Sequence, residues 1–165
     1  MLPMQWQRFI DSEQLAPGAD LIPYLHNGLF SGDAARVECI ARAWEAWSSA
    51  VVMFSLEHAA DGVAGDIASA IAKTRIEMHY AQHRYFLADD QLLNNAGRLP
   101  RVPTTIIHGA RDLTCPAEAA WAVHRAIPGA KLEILRTAGH LSSETPIIDA
   151  LVRAADDMAA VLGAN

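Results

Sequence analysis

The chain has 165 residues, of which 52% are hydrophobic and 19% are charged. This composition suffices to bury a core, and it excludes a disordered, collagenous or low-complexity protein. Thirteen basic against nineteen acidic residues give a formal net charge of −6. We therefore expect no nucleic-acid partner and no anionic membrane surface, because both need clustered cations.

We expect a cytoplasmic protein with no membrane partner. No apolar run approaches the roughly 20 residues that a transmembrane helix needs. The first residues do not show the basic and apolar regions of a secretory signal. The two cysteines, Cys39 and Cys115, are too few for a disulfide framework or a zinc site, and they indicate a reduced compartment.

Residues 1–98 are predicted to form a helical domain. Helices are expected over residues 4–15, 21–29, 33–58 and 66–86. Apolar residues recur in the third helix at the three- and four-residue spacing of a buried face. They are Val37, Ile40, Trp44, Trp47, Val51 and Phe54. The residues of the fourth helix expected to point inward are Ile67, Ile71, Ile76 and Tyr80.

Residues 99–165 are predicted to form a second, α/β domain. Strands are expected over 104–108 and 131–136, and helices over 116–127 and 145–162. The alternation of strand and helix predicts two parallel strands joined by a right-handed crossover. Parallel sheets normally contain more strands and are covered on both faces. We therefore expect an incomplete sheet whose open edge can pair with another chain, including a second copy of this one.

An acid and a base follow the two predicted strands. Asp112 comes three residues after Gly109, and His140 comes directly after Gly139. Chemistry in parallel sheets is located at the carboxyl ends of the strands, so the two side chains are expected to meet. An aspartate bonded to Nδ1 of a histidine orients the ring and leaves Nε2 to act as a base.

These segments resemble the C-terminal half of the prolyl aminopeptidases, also called proline iminopeptidases, of the α/β-hydrolase superfamily. The resemblance covers nearly the whole chain. It is carried by Trp44 and Trp47, by residues 74–80 (Thr-Arg-Ile-Glu-Met-His-Tyr), by residues 103–116 and by residues 138–140 (Ala-Gly-His). The acid-then-base order also matches the order of that superfamily.

The resemblance implies a fold and an activity. The fold would be α/β: a helical cap followed by the last two parallel strands and helices of an α/β-hydrolase domain. The complete enzyme would be a serine peptidase that releases N-terminal proline from peptides, with no cofactor and no metal. Asp112 would be its triad acid and His140 its base, while Glu77 would bind the α-amine of the substrate. Trp47 and Tyr80 are further candidate substrate-binding residues.

The sequence departs from the family at two points. None of its ten glycines is followed two residues later by serine, so it contains no Gly-x-Ser-x-Gly elbow. We expect the nucleophile and the oxyanion loop to precede Met1 in a longer protein, and we expect this chain to be inactive alone. The position after the tryptophan pair, where the family has a second amine-binding glutamate, is Ser48. Glu45, one helical turn back, is the candidate substitute.

Alternative hypotheses stay open on the sequence alone. The chain could be a non-catalytic remnant that binds or self-associates through its open sheet edge. It could also derive from an α/β hydrolase of another specificity, such as an esterase or an epoxide hydrolase, which the serine at position 48 would favour. His79 and His83 share one helix face, but no third ligand is specified, so we expect no metal.

Overall fold

The computed structural model describes residues 2–56 and 66–163. These residues fall into two compact units. The first unit contains residues 2–51 and 66–88, and the second contains residues 52–56 and 89–163. The predicted domains, 1–98 and 99–165, stay a prediction.

The first unit is built from four helices. They are α1 (Pro3–Glu13), α2 (Leu21–Leu29), α3 (Ala34–Val52) and α4 (Ile67–Gln82). Aspartates bind the first free amides of two of them: Asp33 Oδ1 accepts from the backbone N–H of Ala35 at 3.0 Å, and Asp66 accepts from that of Ala68 at 3.3 Å. Each aspartate thereby satisfies amides that a helix start leaves unpaired.

The apolar face predicted for α3 forms much of the core of this unit. Val37 and Ile40 are buried, and Trp44 and Trp47 pack against the same cluster. The cluster of buried residues comprises Phe9, Leu25, Leu29, Val37, Ile40 and Met78. A side chain at Gly28 of α2 would overlap Ile40, so the glycine allows α2 and α3 to approach closely.

The predicted ends of α3 and α4 are wrong. α3 ends at Val52, where the chain turns and the Leu56 N–H donates to the Met53 carbonyl at 3.0 Å. Phe54 therefore lies beyond the helix, and residues 57 and 58 of the predicted helix lie outside the described residues. α4 ends at Gln82 and is followed by a 3₁₀ turn over Arg84–Phe86.

The inward face predicted for α4 is also partly wrong. Thr74 and Met78 are the buried residues, whereas Ile76 is 62% exposed and Tyr80 is exposed as well. Nine residues separate Ile67 from Ile76, which is about 180° of rotation at 3.6 residues per turn. The two isoleucines therefore lie on opposite faces of α4 and cannot both face the core.

The second unit is a mixed α/β structure. Two strands, β1 (Thr105–Gly109) and β2 (Lys131–Leu135), pair in parallel, with His108 opposite Ile134. The helices are α5 (Gln91–Asn94), α6 (Ala117–Ala126) and α7 (Thr145–Gly163). The predicted parallel pairing is confirmed, and α6 and α7 follow β1 and β2 as the sequence pattern indicates. Within the described residues, no helix is at once long and apolar enough to cross a membrane.

The sheet of the second unit has two strands, in the order β1-β2. Its strands are only partly buried, and Ile134 of β2 is exposed. Large apolar side chains of the flanking helices are exposed too, including Trp121, Ile148, Leu151 and Val152. The open two-stranded sheet predicted from the sequence is thus confirmed.

We expect Ile40→Ala and Ile76→Ala to differ sharply in their effect on stability. Ile40 is fully buried, so its truncation should lower the free energy of unfolding by about 2–5 kcal/mol. Truncation of the exposed Ile76 should change it by no more than about 0.5 kcal/mol. Urea unfolding followed by circular dichroism measures both values. Equal losses would contradict the packing of α3 and α4 described above.

Candidate active site

The loops that follow β1 and β2 contact each other through their backbones. The Ala110 N–H donates to the Leu135 carbonyl at 2.9 Å, and the Arg111 N–H donates to the Ala138 carbonyl at 2.9 Å. Gly109 lies at this contact, and a Cβ atom there would overlap the carbonyl oxygens of Ala138 and Gly139. Glycine at position 109 is therefore required by a close backbone approach.

Asp112 and His140 meet at this edge of the sheet. His140 Nδ1 lies 3.0 Å from Asp112 Oδ2. The other carboxylate oxygen, Oδ1, accepts from the backbone N–H groups of Thr114 at 2.8 Å and Cys115 at 2.9 Å. The Asp112 side chain is 6% exposed and that of His140 is 33% exposed. The acid is thus held in place from several sides, while the imidazole reaches solvent.

The surroundings of Asp112 keep its carboxylate ionised. Burial opposes the charge and would raise the pKa of Asp112, but hydrogen bonds from the Cys115 N–H, the His140 ring and the Thr114 N–H outweigh it. Together they hold the pKa of Asp112 below its ordinary value. An ionised carboxylate only accepts hydrogen bonds, so Nδ1 of His140 carries the proton that is donated to Asp112. The lone pair of the neutral ring is then on Nε2, as a general base requires.

His108 belongs to the same site, although the sequence pattern did not single it out. Its Nε2 is 2.9 Å from the Cys115 carbonyl oxygen and 3.9 Å from Asp112 Oδ2. A donor bond to the carbonyl closes the loop that presents Asp112. Its position in the sequence could have indicated this role, because His108 is the last residue of β1 with a side chain, directly before Gly109.

Three potential metal ligands also converge here. Asp112, Cys115 and His140 each have a ligand atom within 4.8 Å of the others. Burial and the neighbouring Asp112 charge raise the pKa of the Cys115 thiol, which disfavours the thiolate that a metal binds. Both oxygens of Asp112 already accept hydrogen bonds. The geometry is therefore that of an acid–base pair with a neighbouring thiol.

Glu77, the candidate amine-binding residue, belongs to α4 of the helical unit, and its side chain contacts α3. The Trp44 indole N–H donates to its Oε2 at 2.7 Å, and Glu77 is partly buried. The indole is neutral, so this bond orients the carboxylate without cancelling its charge. A carboxylate can accept about four hydrogen bonds, and the bond from Trp44 leaves capacity for an ammonium group.

Glu45 and Ser48 occupy different surroundings on α3. Glu45 forms an ion pair with Lys73 of α4, with 3.1 Å between Oε2 and Nζ. The Ser48 hydroxyl donates to the Glu45 carbonyl at 3.3 Å. The charge of Glu45 is therefore balanced by a cation, and Ser48 bonds to its own helix.

The two aromatic candidates differ in burial. Trp47 is partly buried and packs edge-on against Trp6, with ring centroids 5.1 Å apart. Tyr80 is exposed and lies edge-on to Phe86 at 5.5 Å. Packing of the core accounts for Trp47, while the ring of Tyr80 is open to a ligand.

The fold and the site define a class of protein. A mixed α/β chain with two parallel strands in an open sheet, and with an acid and a histidine after those strands, is consistent with a partial α/β-hydrolase fold.

Comparison with known proteins relates the chain to a narrower group than this fold class. The chain is 36% identical over 162 residues to the proline iminopeptidase of Xanthomonas citri, a match that covers 96% of this chain and 51% of that protein. It is 36% identical to that of Neisseria gonorrhoeae, over 94% of this chain and 49% of the relative. It is 35% identical to the proline iminopeptidase of Arabidopsis thaliana, over 98% of this chain and 43% of that relative. No protein-family model matches the chain.

The resemblance seen in the sequence is therefore confirmed: the chain is related to the proline iminopeptidases along nearly its whole length. It spans about half the length of the curated relatives it matches.

We expect Asp112→Asn to reduce stability in a pH-dependent way. The native pKa of Asp112 lies below its ordinary value, so the charged carboxylate stabilises the fold above the unfolded-state pKa of about 3.9. This stabilisation is lost as the pH falls through the lower native pKa. The difference in unfolding free energy between wild type and variant should thus shrink from about pH 7 to pH 2. Urea unfolding across that range measures it.

Asp156→Asn is the matched control, because Asp156 is an exposed aspartate of α7. Its effect should be small at every pH. A wild-type advantage over Asp112→Asn that persists unchanged in acid would contradict an ionised, hydrogen-bonded Asp112.

Proposed function

We propose that this chain is the C-terminal portion of a prolyl aminopeptidase-like serine peptidase that releases N-terminal proline from peptides. The observation that carries the proposal is the Asp112–His140 pair, with 3.0 Å between Oδ2 and Nδ1, in a chain related to the proline iminopeptidases. The 165 residues contain no Gly-x-Ser-x-Gly elbow. The nucleophile would therefore come from a preceding part of a longer protein, and the chain alone would be inactive.

In this proposal His140 moves the protons of the reaction. Its Nε2 takes the proton of the serine hydroxyl as the serine attacks the prolyl carbonyl, and then gives the proton to the leaving amine. Asp112 accepts the Nδ1–H bond throughout. Its ionised state stabilises the imidazolium that forms, and its bonds from Thr114 and Cys115 keep it from turning away.

Glu77 is proposed to bind the ammonium group of the substrate. Its carboxylate is partly buried and bonded to a neutral indole, so an arriving cation would meet a charge that the indole does not compensate. Glu45 is a weaker candidate for a second amine contact, because an ammonium would have to displace Lys73 from it. Ser48 offers only a neutral hydroxyl, and Trp47 and Tyr80 are proposed as apolar contacts.

The activity can be tested by completing the chain. The portion of the Xanthomonas citri relative that this chain does not match would be joined before Met1, and hydrolysis of proline p-nitroanilide would be measured. We expect turnover by the fusion, none by the chain alone, and a loss of at least about 10³-fold in kcat for the fusion carrying His140→Ala. A cooperative unfolding transition would establish that each protein is folded.

The same fusion separates the proposal from its alternatives. Turnover of p-nitrophenyl acetate with none of the prolyl amide would favour an esterase. A folded but inactive fusion would contradict the peptidase proposal. The open two-stranded sheet and the exposed apolar residues of α6 and α7 favour a second candidate in that case, a non-catalytic protein that self-associates through its sheet edge. Sedimentation of the chain alone would then show a stable oligomer.

Glu77→Gln should weaken the binding of free-amine substrates specifically. Loss of a charged hydrogen bond is worth about 1.5–3 kcal/mol, so KM for proline p-nitroanilide should rise about 10-fold or more in the fusion. The kcat/KM for p-nitrophenyl acetate, which has no ammonium, should not change. Glu45→Gln is the matched control and should have a smaller effect on KM. Equal losses on both substrates would contradict the role given to Glu77.

A further inference from the structure

A buried glutamate lies beside His140 and is not explained by the acid–base pair. Glu144 precedes α7 and is 9% exposed, whereas its neighbours Ser143 and Thr145 are exposed. Its carboxylate accepts a hydrogen bond from the Gly139 N–H, at 3.1 Å to Oε1 and 3.0 Å to Oε2, and one from the Leu141 N–H at 3.2 Å to Oε1. Glu144 therefore binds the amides of the two residues that flank His140.

A third donor reaches Glu144 from a distant part of the chain. The Ser55 hydroxyl lies 3.0 Å from both carboxylate oxygens, although the two residues are 89 positions apart. Ser55 also fills the space beside Gly139, where a Cβ atom would overlap the Ser55 side chain. Glu144, Ser55 and Gly139 thus form one packed arrangement next to the histidine.

The three donors around Glu144 match a carboxylate, which presents hydrogen-bond acceptors on both of its oxygens. A buried charge is costly unless hydrogen bonds compensate it, and here three donors do so. The Gly139 N–H lies within 3.1 Å of both oxygens, so the NH₂ group of a glutamine would face this donor whichever way the amide was turned. The site therefore discriminates between glutamate and its closest neutral analogue.

We infer that Glu144 is a positioning residue for His140, an inference that rests on the proposed role of His140 as the base. By holding the amides on either side, Glu144 fixes the backbone of His140 and keeps Nδ1 within 3.0 Å of Asp112 Oδ2. Ser55 supports it by filling the space beside Gly139 and donating to the same carboxylate. Glu144 thus acts on the imidazole through the backbone of the loop.

The test is the His140 Nδ1 proton, observed by NMR in the chain as it exists, without need of a nucleophile. In wild type we expect a strongly deshielded Nδ1 proton that is lost in Asp112→Asn. In Glu144→Gln its exchange with water should be at least about 10-fold faster, since a tenfold change corresponds to weakening the bond by about 1.4 kcal/mol. Ser55→Ala removes one donor only and should give an intermediate acceleration.

Glu133→Gln is the matched control. This substitution makes the same chemical change as Glu144→Gln and lies in the same unit. The Glu133 side chain, however, is 41% exposed and pairs with Arg153 at the surface. In Glu133→Gln, the rate at which the His140 Nδ1 proton exchanges with water should equal that of wild type. Ile147→Val is a second control, for a general loss of stability, because it is a mild change in the buried part of α7. Each variant is measured at the same number of degrees below its own melting temperature.

The outcomes separate this inference from the function on which it rests. An unchanged exchange rate in folded Glu144→Gln and Ser55→Ala, with a clear wild-type signal, would overturn the role of Glu144 and leave the Asp112–His140 pair intact. If Glu144→Gln does not fold, Ser55→Ala alone decides the question. A wild type with no such proton would overturn the pair itself, and with it both the proposed function and this inference.

Discussion

The parallel pairing of β1 with β2 is the constraint on which the candidate site depends. Because both strands run in the same direction, their carboxyl ends lie at one edge of the sheet, where the two segments that follow hydrogen-bond to each other through their backbones. This approach is close enough that Gly109 has no room for a side chain. Any residue with a Cβ there would push the loops apart, and the hydrogen bond between Asp112 and His140 would lengthen with them.

Buried carboxylates hold both of these loops by the same physical device. A short loop leaves backbone amides without strand or helix partners, and a carboxylate can supply the acceptors that these amides lack. Asp112 accepts from the amides of Thr114 and Cys115 in one loop, and Glu144 accepts from those of Gly139 and Leu141 in the other. The amides gain acceptors and the carboxylates gain donors. In Asp112 the same bonds keep the acid ionised for His140.

The parts of the structure that depend on local pattern could be predicted, and those that depend on distant contacts could not. The strands, their parallel pairing and the meeting of Asp112 with His140 follow from short runs and from strand direction. Glu144 could not be found this way, because its partner Ser55 is 89 residues away and a lone glutamate before a helix looks like a surface residue. The predicted inward face of α4 is wrong at Ile76. Whether a residue faces the core depends on its angle about the helix axis and not on its hydrophobicity alone.

The two carboxylates on the contact between α3 and α4 show how partners decide what a charge can do. Glu45 is paired with a lysine, so its attraction for another cation is largely compensated. Glu77 is bonded to the neutral Trp44 indole, which orients the carboxylate without cancelling its charge. An ammonium group would therefore be drawn to Glu77. Every free α-amine carries the same positive charge, however, so in the proposed peptidase the selection of proline would have to come from the shape of the apolar surface around that charge.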